Sequence, residues 1–164
     1  MKSFRKVLGT PKDNRVWGRG AWSKEAPWFR LKTLARGGHE SGRGEACAME
    51  WVSYIQGGLH TDRPESVEGN LAAYIRRLND QSTDSARQLL KPILPRLIGT
   101  RAALNWGVGK RALPSIEGNG LNSVGVRKMR EIVAILDAIL PDEVTLEPDQ
   151  AERALEFCGI TKEL

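Results

Sequence analysis

The sequence predicts a mainly α-helical fold: a single small bundle of about six short helices behind an extended basic N-terminal arm. Two observations point there. Apolar residues recur at three- and four-residue spacing in several separated segments, and no segment alternates convincingly with period two. A third sets the arm apart. Residues 1–30 sustain neither period, because Gly9, Pro11, Gly18, Gly20 and Pro27 interrupt every element that begins there.

Phe4, Trp17, Trp22, Trp28 and Phe29 nevertheless lie inside that irregular stretch. Disordered tails are poor in large aromatics, so the arm is expected to wrap over its own core, a second subunit or a ligand. The run WFRLKTLAR then predicts a short helix, ended by Gly37-Gly38. The arm is assigned residues 1–43 and the helical domain residues 44–164.

From Ala46 to Gln56, Ala48, Trp51, Val52 and Ile55 make one apolar stripe, with Gly57-Gly58 as a stop. A polar loop, LHTDRPES, follows. Leu71, Tyr74, Ile75 and Leu78 form the face of the next helix, for which Asn70 is the expected N-cap. A helix starting near Ser82 or Thr83 is kinked or divided at Pro92, which lacks a backbone donor. TRAALNWGVGKRAL predicts one more short helix, stopped by Gly107 and Gly109. The Gly-Asn-Gly turn at 118–120 precedes the clearest element, in which Val126, Met129, Val133, Leu136 and Leu140 keep strict helical spacing up to Pro141. A last helix, EPDQAERALEFCGI, is expected to be capped by Asp149, with Ala151, Leu155 and Cys158 on its buried face.

A length of 164 residues suits one domain with a tail. No apolar run approaches the ~18 residues of a membrane span, and MKSFRKVLGTPKDNR lacks the apolar stretch of a signal peptide. A cytoplasmic location without membrane contact is expected. Cys47 and Cys158 form no Cys-x-x-Cys pattern, so both are expected reduced and buried as small hydrophobes. The net charge of +5 is unevenly spread. Residues 1–46 carry 11 Lys/Arg against 4 Asp/Glu, whereas residues 47–164 carry 14 against 16. All the basic excess therefore belongs to the front of the chain, as in a polyanion-binding arm.

The middle of the chain carries an ordered set of unrelated residue types: Gly37, His39, Cys47, Met49, Glu50, Tyr54, Gly57, Thr61, Asp62 and Pro64, then Asn79, Asp80, Pro92, Pro95, Gly99 and Thr100. This pattern resembles that of an uncharacterised family of small proteins from actinobacteria and their phages, with Gly-x-His, Cys-x-Met-Glu and Ser/Thr-Asp-x-Pro in succession. Members of that family often have Asp-His-Pro with a cysteine soon after, where this chain has Asp62-Arg63-Pro64-Glu65 and no cysteine. The resemblance implies a locus and a phage or bacterial accessory role, and no particular reaction.

Three readings compete at that locus. His39, Cys47, Glu50, His60 and Asp62 are all acceptable metal ligands, though no motif fixes their geometry, and a metal on His39, His60 and Asp62 needs a loop folded back over the helix. Alternatively, Cys47 is a nucleophile with His39 or His60 as base, its thiolate favoured by the start of a helix. The third reading is structural: the loops leave backbone groups unpaired, and these polar side chains satisfy them. No cofactor is called for. Gly120 to Gly125 has the glycine spacing of a phosphate-binding loop but lacks the Lys-Ser/Thr that follows, which excludes a nucleoside triphosphatase. The amides beside Arg127, Lys128 and Arg130 suit a simple anion, though the stretch suits a plain connection between helices better.

In the arm, Arg15, Trp17, Arg19, Trp22, Lys24, Trp28, Arg30 and Lys32 alternate cation with aromatic. Cations neutralise phosphates and indoles stack on bases. The expected partner is nucleic acid or another phosphate-bearing ligand. The same residues also suit packing on the core, or docking of an inhibitor or regulator on a host protein.

Overall fold

A computed structural model describes residues 33–37, 46–56, 61–102, 113–116, 118, 120–142, 144–150 and 153, and the backbone alone at 16–18, 103 and 143. Among them the order is β1 (Val16–Gly18), α1 (Ala48–Gln56), α2 (Gly69–Gln81), α3 (Asp84–Arg87), a 3-10 helix (Gln88–Leu97), α4 (Thr100–Ala103), α5 (Val126–Ile139) and β2 (Glu143–Thr145). The protein is mainly helical, as its periodicities predict.

α1 runs through the centre. The sequence reads it as one apolar stripe, but Ala48, Met49, Glu50, Trp51, Val52, Ser53 and Ile55 are all buried, and only Tyr54 is exposed. A helix enclosed on nearly every side must satisfy its polar side chains internally. α2 packs on it through Leu71, Ile75 and Leu78, and the 3-10 helix through Leu90, Ile93, Leu94 and Leu97. α5 closes the far side of the 3-10 helix with Met129, Ile132, Val133 and Leu136.

Pro92 does not kink an α-helix. It stands with Pro95 inside a ten-residue 3-10 helix that continues directly from α3. Two prolines three residues apart remove donors an α-helical ladder needs, and their rings crowd the carbonyls four residues back. Such a run is long for this geometry, and burial of every side chain from Leu90 to Leu97 holds it.

Helix starts differ from expectation in two places. Glu68, not Asn70, caps α2, its carboxylate accepting from Leu71 N at 2.7 Å while Asn70 Nδ2 donates to the same group. The final helical turn opens at residue 148, so Asp149 lies inside it. Pro148 suits a first helical position, and Gln150 Oε1 accepts from Glu147 N at 2.9 Å, the back half of a capping box. Thr83 caps α3 as expected. Apart from Arg153, the remainder of that last helix, including Ala151, Leu155 and Cys158, lies outside the described residues, as do Gly57-Gly58 and 104–112.

The sequence suggests no strand, yet β1 pairs antiparallel with β2, Trp17 opposite Val144. Three residues per strand are too few for alternation to register. The predicted helix at 28–36 is not seen in its described part. Leu34 is buried and bridges Ala46 in parallel, Ala35 N donating to Ala46 O at 3.0 Å. Gln88 makes this extended form preferable to a helix: its amide accepts from Leu34 N and donates to Leu34 O, both at 2.9 Å. No described helix is long and apolar enough to cross a membrane.

Candidate functional site

Cys47 immediately precedes α1, whose first helical bond runs from Trp51 N to Cys47 O. Glu50, three residues on, turns its carboxylate back to accept from Cys47 N at 2.9 Å. This is a capping box with cysteine at the position serine or threonine usually takes. The next orphan amide, Ala48 N, donates to Asn79 Oδ1 at 3.1 Å.

The start of a helix favours a thiolate, and the amides of Met49 and Glu50 act in that direction on Cys47. Burial opposes them and wins. With Glu50's carboxylate adding to it, desolvation pushes the thiol from 9.0 up to about 12. Cys47 thus stays protonated at neutral pH, where a nucleophile needs the thiolate. Burial also raises the Tyr74 phenol, which donates to Pro114 O, from 10.0 to about 12.

Both shifts make the folded chain hold protons that the unfolded chain releases, so stability must fall as pH rises. The contribution is complete below about pH 9 and is lost through about pH 12. Urea unfolding is expected to weaken by roughly 1 kcal/mol per pH unit per group within its window. Cys47→Ala should flatten the slope from about pH 9, and Tyr74→Phe from about pH 10. A slope unchanged in Cys47→Ala would show that the thiol titrates normally.

Asp62 stands beyond the other end of α1. Its loop does fold back along the helix, for Ser53 Oγ donates to Thr61 O at 2.7 Å. Arg63 N donates to Thr61 Oγ1, a local turn of the Ser/Thr type, and Arg76 donates to Asp62 O. The Asp62 carboxylate itself is 48% exposed, with Arg63 Nε 4.0 Å away. His39 and His60 lie outside the described residues. Among the described residues, no three His, Cys, Asp or Glu side chains gather at metal-binding spacing. Of the three candidates among the described residues, Cys47 and Glu50 come together, at the start of a helix.

Sequence reasoning missed the polar knot beside them. Asn79 is buried and also donates to Ala35 O at 2.8 Å, while its own carbonyl accepts from Arg87 Nε at 2.5 Å. Asp80 accepts from Gly37 N at 2.9 Å, in a bend where Gly37 has a φ of +76° that suits glycine. Arg36 reaches Ser82 O and, at 2.6 Å, Asn122 Oδ1. Val124 and the 81–83 segment exchange backbone bonds. Segments 33–37, 79–84 and 120–124 therefore converge at one end of the bundle. One signal existed: Asn79 falls on the apolar stripe of Leu71, Ile75 and Leu78, and an amide there must be satisfied inside.

This knot brings the root of the arm to the start of α5. Arg127 and Arg130 are exposed there and Lys128 half-buried, and Gly125 supplies no side-chain cap for the first amides of the helix. Of the arm residues, Trp17 has its backbone in β1. Arg15, Arg19, Trp22, Lys24, Trp28, Arg30 and Lys32 lie outside the described residues. No family model, curated protein or solved structure matches this chain.

Proposed function

We propose that the chain binds nucleic acid, or another phosphate-bearing ligand, through its basic Trp-rich arm, in a phage or bacterial accessory role. Arg15, Arg19, Lys24, Arg30 and Lys32 neutralise phosphate; Trp17, Trp22 and Trp28 stack. The observation that carries this reading is the Arg36–Asn122 bond, which joins the root of the arm to the loop before Arg127, Lys128 and Arg130. That bond sets Arg36, a cation just past those of the arm in sequence, beside the loop that leads to Arg127, Lys128 and Arg130, which supports a polyanion contacting both.

Titration of labelled single- and double-stranded oligonucleotides against salt tests this. Five phosphate contacts on a single strand predict a slope of log affinity against log salt of roughly −3 to −4. Neutralising the five arm cations should flatten it. Affinity indifferent to salt, or absent at low salt, refutes the proposal.

A further inference from the structure

We draw no further inference here: the strongest candidate, the start of α5, where Gly125 gives the first amides no side-chain cap and Arg127 and Arg130 are exposed, carries nothing because surface cations at a helix start are not by themselves a site, it belongs to the phosphate-binding reading above, and the half-buried Arg36 next to its loop directs Nη2 to Ser82 O and Asn122 Oδ1.

Discussion

Arg96→Ala is expected to destabilise the fold by about 3–5 kcal/mol, the largest single effect outside the apolar core. Arg96 is 1% exposed at the end of the 3-10 helix, and its guanidinium is aimed at the end of α5. Nη2 donates to Asp137 O at 2.8 Å and Leu140 O at 3.2 Å, Nε donates to Pro141 O at 2.8 Å, and Nη1 pairs with the Asp137 carboxylate. The last carbonyls of a helix have no internal partner and carry its negative end. One fork thus satisfies two of them, Asp137 O and Leu140 O, together with Pro141 O just past the cap and a carboxylate.

Truncation leaves all four acceptors desolvated. Lysine restores the charge but not the fork, so Arg96→Lys should recover less than half of the loss. Asp137→Asn keeps an acceptor and should cost about 1–2 kcal/mol. Replacing the pair by apolar residues should not rescue stability, because the backbone carbonyls remain. Thermal unfolding reads this as a fall of roughly 10 °C for Arg96→Ala. A fall of one or two degrees would mean that water replaces the guanidinium.

The legible parts of the fold are those where one face meets the core and the other meets water. α5 is the clearest: Met129, Val133 and Leu136 are buried as their spacing predicts, and Gly125 and Leu140 bound it. α1 was half legible. Its stripe is right, but enclosure on its remaining faces depends on which neighbours arrive, and no local pattern encodes that. The 3-10 helix was less legible, since Pro92 and Pro95 exclude a regular α-helix without saying what replaces it. Least legible were the polar bonds joining distant segments, such as Gln88 to Leu34 and Arg36 to Asn122, because neither partner has a local reason for its conformation.

The candidate site follows the same division. Cys47 and Glu50 stood out by chemistry, and their spacing of three fits a capping box as well as a shared ligand face. In the structure they form the capping box. Others of the singled-out residues hold comparable posts. Thr100 donates to Leu97 O and accepts from Glu68 N, closing the loop before α2, and Gly99 turns the chain at a φ of +83°. Polar residues at bends and helix starts thus specify the bundle at both ends of α2.

Asn79 is where such bonds concentrate, and Asn79→Leu is expected to cost about 2–4 kcal/mol. Leucine matches the volume but strands Ala48 N and Ala35 O without partners inside the protein. Asn79→Asp separates shape from hydrogen bonding. The carboxylate still accepts from Ala48 N, but its second oxygen faces Ala35 O and Asp80 Oδ1, both of which now receive a donor from Nδ2. The aspartate should therefore be at least as damaging as leucine at neutral pH. It should recover partly in acid, where a protonated carboxyl donates again; the leucine variant should not. Hydrogen exchange locates the damage. The amide of Ala35, bonded to Ala46 O, and that of Leu34, bonded to Gln88, should exchange faster than amides in the middle of α5. Equal acceleration everywhere would mean that Asn79 supports the whole core. Preferential acceleration at 34–35 would identify it as the bolt that fixes the arm to the bundle, and oligonucleotide affinity in the same variant would then report how far phosphate binding depends on a fixed root.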